Sequence, residues 1–509
     1  MSKLLRRVGG KGWKPFDWAS AAQYASGAAP MMKEPACYIN GSWVTSSLSA
    51  KVVSVEDPCT EQIIGTIPHL GYAETMTAIE AAKTAFESWR QVMPPRRAAV
   101  VRRWGELLLQ HRDIVASILS RESGKVISEG NGEVLYAKEF AEWYAGEAER
   151  VYGDIIPGPR PNVQTTVFRE PVGVVGIITP WNFPAAMITR AACGAIAAGC
   201  TVVLKPAELT PFTAMALAQL AEEAGIPPGV FNVVTGDAPK VGDALLESFD
   251  VRKISFTGST HVGKYLYRRC AETMKRVGME LGGNAPCIVF EDADLPRAAD
   301  QLIAAKFRNA GQTCICVNRA LVQASVYEEF KSLVADRVRA LKVGNNFDPS
   351  VKVGSVIGQA TLKRMTRVVE DAVEKGATVV VGGKALAGSG YFFEPTLLTN
   401  VPHGTAMCCH EELFGPVLPL VSFDTEENAV RMANDTRAGL ASYFFTNDYR
   451  RQHRVARALR YGMVGVNDSA LSTPRAPFGG VKESGLGRDG SKYGIEAFVD
   501  IKYALFSTV

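Results

Sequence analysis

After about residue 35 the chain alternates short apolar, β-branched runs with longer stretches in which apolar residues recur three and four apart. YINGSWV (38–44) and VVSVEDPCTEQIIGTIP (52–68) predict early strands joined by turns, and residues 73–147 predict helix. VVGIITP, TVVLKP, VFNVVTG and KISFTG follow, each a strand running into a turn, with helix-like sequence between them. This alternation predicts a parallel sheet covered on both faces, a doubly wound α/β domain. Beyond Gly283 the pattern restarts, and PCIVF and ATVVVGG predict strands of a second α/β domain. The expected division is 35–150 with 171–281 for the first domain and 282–490 for the second. Their boundary, near 281–283, creates a crevice of the kind in which ligands usually bind.

Composition narrows the function classes. The chain has 509 residues, of which 47% are hydrophobic and 21% charged, enough for two or three globular domains. A net charge of +4, scattered along the sequence, gives no electrostatic case for nucleic acid or acidic membranes. The longest apolar stretch, 171–204, carries prolines, an asparagine and an arginine, which argues against a membrane span. Ten cysteines without a C-x-x-C pair, and only six histidines, argue against a zinc site or a disulfide scaffold and for a reducing compartment. No metal is expected. Residues 1–34 differ from the rest: Lys3, Arg6, Arg7, Lys11, Lys14 and Lys33 are set among alanines and serines, with Asp17 among few acids. A mitochondrial transit peptide has this composition, as does a disordered basic tail of a cytoplasmic protein.

Two motifs carry the chemistry. FRNAGQTCICVN (307–318) sets Cys314 in a small-residue turn after a helical run, and MELGGNAP (279–286) sets Glu280 just before a glycine pair. A thiol and a carboxylate suffice to form and then hydrolyse a thioester, the thiolate as nucleophile and the carboxylate as base for water. Taken singly, Cys314 is equally a small buried hydrophobe and Glu280 a helix-end charge.

A nucleotide site is also expected. Lys205 and Glu208 follow the strand TVVLKPAE, where open α/β sheets bind ligands. A carboxylate there accepts hydrogen bonds from both ribose hydroxyls of an adenosine and repels a 2′-phosphate, so Glu208 favours NAD, with NADP the weaker alternative. In KISFTGSTHVGK, Gly258, Gly263 and Lys264 approach a P-loop, but Tyr265 stands where a hydroxyl should hold magnesium. Gly258 and Ser259 before a helix still suit a pyrophosphate.

Arg190 lies in AAMITRAACGAIAAGC, a stretch so apolar that its guanidinium needs an anion. Arg308 is a second cation, six residues before Cys314. Either alone predicts a structural salt bridge. Together, near one nucleophile, they point to a substrate carboxylate, which planar guanidinium forks match.

PWNFP (180–184), KPAE (205–208), FTGST (256–260), MELGGNAP, GQTC (311–314), EELFGP (411–416) and PFGGVKESGLGRDG (477–490) resemble, in order, the aldehyde dehydrogenase superfamily over about residues 35–503. FRNAGQTCICVNR, NFPAAMITR and GLGRDGSKYGIE look most like succinate-semialdehyde dehydrogenases, with glutarate-semialdehyde dehydrogenases as near neighbours. The resemblance implies Cys314 as nucleophile, Glu280 as general base and Asn182 as oxyanion donor. It implies that Thr179, Trp181, Lys205, Glu208, Gly258, Ser259, Glu412 and Phe414 hold the cofactor, and that Arg190, Arg308 and Ser472 grip the substrate's distal carboxylate. It further implies a small β oligomerisation flap from 151–170 and 491–509, in a homodimer or homotetramer.

Three features depart from that pattern or add to it. Relatives often carry a lysine after the arginine matched by Arg190, and here the residue is Ala191. Cys316 lies two residues beyond the nucleophile, either an inert neighbour or the partner of a reversible Cys314–Cys316 disulfide. STPRAP (472–477) places Pro474 and Arg475 in the substrate loop, where the added cation bears on chain-length preference.

Overall fold

The computed structural model describes residues 14–18, 21–26, 31–32, 34–45 and 51–507. Two large sheets organise it. In the first, five strands run parallel in the spatial order Arg276–Glu280, Val251–Thr257, Val174–Ile178, Thr201–Lys205, Phe231–Val233. The last four are the apolar runs that the sequence predicts, and they are almost wholly buried because helices cover both faces. Arg276–Glu280 is not among the predicted runs and is buried only at Met279 and Glu280. The hairpin Cys37–Ile39 and Ser42–Val44 extends one edge, and Gly485–Leu486 pairs antiparallel with Met279 and Glu280 at the other. That last strand comes from a stretch whose neighbours in sequence belong to the second domain. It crosses over because Glu280 sits on an otherwise open edge.

The strand order has a physical consequence. From Val174–Ile178 the chain winds outward through Thr201–Lys205 to Phe231–Val233, then returns to lay Val251–Thr257 on the opposite side of its starting strand. The crevice between Val174–Ile178 and Val251–Thr257, beyond their carboxyl ends, is therefore the switch point at which doubly wound sheets bind ligands.

The second sheet has seven strands in the order Thr378–Val381, Thr396–Thr399, Val417–Phe423, Val317–Gln323, Ala285–Val289, Ala441–Phe445, Met463–Val466. All neighbours are parallel except the first pair. Residues 72–148 fold into four helices, Tyr72–Trp89, Pro94–Gln110, Arg112–Ser123 and Ile127–Ala148. A separate antiparallel sheet joins Asp154–Pro157, Val163–Pro171 and Val499–Ser507, within the stretches expected to form a flap. No helix of the described residues is long and apolar enough to cross a membrane.

Of the basic head, Lys3, Arg6, Arg7, Lys11 and Lys33 lie outside the described residues. Phe16, Tyr24, Met31 and Met32 are buried in the first domain's core, and Lys14 pairs with Glu222 at 3.1 Å.

Candidate active site

The helix Leu295–Phe307 ends just before the turn that carries Cys314. Asn309, Ala310 and Gly311 then take left-handed φ values of 52°, 53° and 77° in succession. Asparagine tolerates this region and alanine does so only where its surroundings over-determine it. Gly311 has no alternative, since a Cβ there would lie 2.2 Å from the Gly415 carbonyl oxygen. The turn delivers Cys314 onto the wall of a cavity of about 320 Å³. The thiol faces this cavity and Cys314 is half-buried. Burial pushes its pKa up to about 12; Arg190 and Arg308 act downward, Glu412 and Glu280 upward.

Glu280 reaches the same cavity from the other domain, at the end of its strand. Its carbonyl accepts from the Gly258 amide at 3.0 Å, which ties Glu280 to the turn before the helix Thr260–Cys270. Burial, and then the charge of Asp489, hold its carboxyl well above the usual carboxylate range against Arg190 and Arg488. Its Oε2 has no hydrogen-bond partner among the described residues and lies 3.9 Å from Arg190.

The two arginines differ. Arg190 sits in the wholly buried helix Ala186–Ala198, its Nε donates to Asp489 at 2.7 Å, and its guanidinium lies 4.1 Å from the Phe478 ring centroid. The anion that the apolar helix demanded is thus a protein carboxylate, and only the remaining edge of Arg190 faces the cavity. Arg308 stacks over Phe183 at 4.7 Å and has no ion-pair partner among the described residues. Ser472 lines the cavity beside it.

Asn182 follows the strand Val174–Ile178 and lines the cavity opposite Cys314. One N–H of its side chain donates to the Gln312 carbonyl at 3.2 Å, which leaves the second N–H available. Its Oδ1 is buried without a partner.

Trp181, Gly258, Ser259, Glu412 and Phe414 line the cavity as well. Thr179, Lys205 and Glu208 stand away from that wall, along the carboxyl edge of neighbouring strands, where Ile178 pairs with Lys205 and Phe256 with Ile178. Lys205 pairs with Glu208 and donates to the Pro206 carbonyl at 3.2 Å. Ser259 caps the helix Thr260–Cys270 by accepting from Val262 at 3.4 Å. Glu412 accepts from the Gly283 amide at 3.0 Å, and burial lifts it to about 7 against that bond. Phe414 stands edge-on to Trp181, with centroids 5.6 Å apart.

A dinucleotide fits this edge. Thr179 Oγ1 is buried there with no partner, and a Cβ on Gly282 would lie 2.5 Å from Glu412 Oε2, inside the space beside that carboxylate. The expected cofactor residues therefore form one band running from the switch point into the thiol's cavity.

Cys316 is not on the cavity wall. Its buried thiol accepts from Lys306 Nζ at 3.4 Å and lies against the Lys306 and Val317 carbonyls. The sequence-level expectations also omit Tyr136, Met187, Phe183 and Phe478 as wall residues and Asp489 as the anion beside Arg190. The unbalanced charge of Arg190 was the one available signal for Asp489.

The sequence model of the Aldehyde dehydrogenase family matches residues 43–504. The chain is 50% identical over 470 residues to a glutarate-semialdehyde dehydrogenase of Pseudomonas putida, covering 92% of this chain and 97% of that one. It is 51% identical over 465 residues to a mitochondrial succinate-semialdehyde dehydrogenase of Arabidopsis thaliana, covering 91% and 88%. Its fold matches the crystal structure of betaine aldehyde dehydrogenase from Staphylococcus aureus in complex with NAD+ with a TM-score of 0.92 at 34% identity, over 96% of this chain and 98% of that one. A thiol and a carboxylate from two domains meeting at a dinucleotide edge agree with these likenesses, and the chain belongs to the aldehyde dehydrogenase family.

Proposed function

We propose that the protein oxidises succinate semialdehyde to succinate with NAD, through a thioester on Cys314. The observation that carries the substrate class is Arg308, a guanidinium without an ionic partner among the described residues, on the cavity it shares with Cys314 and Glu280. A carboxylate at the far end of a short aldehyde pairs that charge, while a neutral aldehyde leaves it unpaired. Arg190 and Ser472 add the free guanidinium edge and a hydroxyl. The relative of Pseudomonas putida supports glutarate semialdehyde, one methylene longer, as the second reading.

Residue by residue, the chemistry runs as follows. Glu280 takes the thiol proton, and Arg190 and Arg308 stabilise the thiolate that results. The sulfur adds to the aldehyde carbon. The second N–H of Asn182 and the Cys314 amide meet the oxyanion, a contribution of about 3–4 kcal/mol per donor in comparable sites. When bound, the cofactor's nicotinamide ring would supply the hydride acceptor that turns this adduct into the thioester. Thr179, Lys205, Glu208, Gly258 and Ser259 would hold its adenosine and pyrophosphate, and Glu412 and Phe414 its nicotinamide end, with Trp181 beside them. Glu280, having released the thiol's proton to solvent, next takes a proton from water, whose oxygen attacks the thioester carbon, and then returns that proton to the sulfur. The acid departs and the thiol is restored.

Cys316 stands one turn from the nucleophile, and peroxide oxidation of the pair to a disulfide stops catalysis reversibly once Cys316 leaves Lys306. The three-stranded sheet exposes Ile155, Phe168, Ile501 and Tyr503, an apolar surface that pairs with another copy of the chain in a homo-oligomer. A panel of three- to six-carbon semialdehydes with both cofactors tests the substrate. Highest kcat/KM on a neutral aldehyde would overturn the reading.

A further inference from the structure

Asn182 must stand at a fixed distance from Cys314, yet the two residues belong to different domains. Its side chain alone does not secure this, because among the described residues its Oδ1 is unpartnered and its amide makes one bond, to Gln312. The backbone carbonyl of Asn182, in contrast, receives two side-chain donors from separate elements. Lys125 Nζ donates to it at 2.8 Å and Asn309 Nδ2 at 3.1 Å.

Each donor is itself held. Lys125 is buried in the connection between the helices Arg112–Ser123 and Ile127–Ala148, with its ammonium 3.8 Å from the Phe183 ring centroid. It pairs with the buried Glu133, whose other oxygen accepts from the amides of Ala185 at 2.8 Å and Ala186 at 3.2 Å. Glu133 thereby caps the helix Ala186–Ala198, which has no side-chain cap of its own at Ala185, and a carboxylate is favoured at that positive end. Asn309 uses the same Nδ2 to bond the Gln312 carbonyl at 3.1 Å, two residues before the thiol. Its amide N–H is anchored on Glu129 at 3.0 Å. One side-chain amide thus fastens the Asn182 carbonyl in the first domain to the nucleophile turn of the second.

We propose that Asn309 and the buried Lys125–Glu133 pair are positioning residues, which hold Asn182 in register with Cys314 so that the oxyanion site is formed before substrate enters. This inference rests on Asn182 being the oxyanion donor. A site displaced by about 1 Å loses up to about 10²-fold in rate while substrate binding is little affected. A buried network serving stability alone lowers melting temperature without acting through Asn182.

A double-mutant cycle separates these. Asn309→Gly keeps the left-handed turn and removes only the side-chain amide. Paired Lys125→Met and Glu133→Gln remove both charges of the pair, while Glu129 keeps the Asn309 backbone N–H and the nearby charge of Arg308, and carry the test if Asn309→Gly does not fold. Each is combined with Asn182→Ala in the full-length enzyme, and the NADH burst and steady state are measured. In the wild-type background we expect kcat to fall about 10- to 100-fold, with KM for the aldehyde within about 3-fold. Asn182→Ala alone should cost about 10²- to 10³-fold. In that background the positioning variants should cost less than about 3-fold more, because what they position is gone. A full additional loss there overturns the proposal, as does an unchanged kcat in the wild-type background. Asn182→Ala with kcat within about 3-fold of wild type removes the oxyanion assignment itself, and this proposal with it.

Discussion

Arg190 Nε donates to the Asp489 carboxylate at 2.7 Å across 299 residues of sequence, and the same guanidinium faces Glu280 at 3.9 Å. One cation is shared between a fixed anion and the residue proposed as base.

Asp489→Asn tests this sharing. Burial raises Glu280 most, Asp489 raises it further, and Arg190 lowers it. Removing the Asp489 charge deletes an upward influence and frees Arg190 for Glu280, so the Glu280 pKa falls. A base works deprotonated, so activity rises with pH through that pKa. The midpoint of the acid limb of kcat/KM should therefore move to lower pH. An unmoved or raised midpoint contradicts the arrangement.

Arg308→Ala should separate substrates. Charge-assisted hydrogen bonds contribute about 1.5–3 kcal/mol, or about 10- to 150-fold in kcat/KM. That loss is expected for succinate semialdehyde and not for a neutral aldehyde of similar length. Equal losses on both would falsify the carboxylate clamp.

Cys314→Ala should abolish NADH formation while calorimetry still records NAD binding of near wild-type strength. In the wild type, mass spectrometry of a quenched turnover should find the acyl adduct on Cys314 and on no other of the ten cysteines. Turnover by the alanine variant removes the nucleophile assignment.

Glu208→Gln should broaden cofactor choice. The carboxylate stands beside Lys205 at the carboxyl edge of the first sheet, where, as proposed, it would repel a 2′-phosphate. Neutralising it should raise kcat/KM with NADP relative to NAD by several-fold, read from initial rates with each cofactor at low salt. A ratio that stays constant places the adenosine elsewhere.

Much of this was legible before the structure because the signals were local. VVGII, TVVLK and KISFT are short apolar runs ending in turn residues, and buried parallel strands need nothing else. Arg190 advertised an anion by lying among alanines. The identity of that anion was not legible, since Asp489 approaches only after the second domain folds back. Lys125 and Glu133 sit in a region rich in glutamates, and nothing in their neighbours distinguishes the charges that packing buries, Glu122 and Glu147 among them, from those it leaves in water. Gly485–Leu486 is two residues long, too short to show an alternation, and pairs only because an edge is open for it.

That two-residue strand has a consequence for biosynthesis. Gly485 pairs with Glu280, so the edge of the first sheet beside the base closes only when residues near 485 have left the ribosome. A nascent chain that has already exposed Cys314 still lacks both this edge and Asp489. Growing polypeptides would then carry a thiol with no finished machinery around it, and a message cut short upstream would yield an inert protein rather than an indiscriminate one.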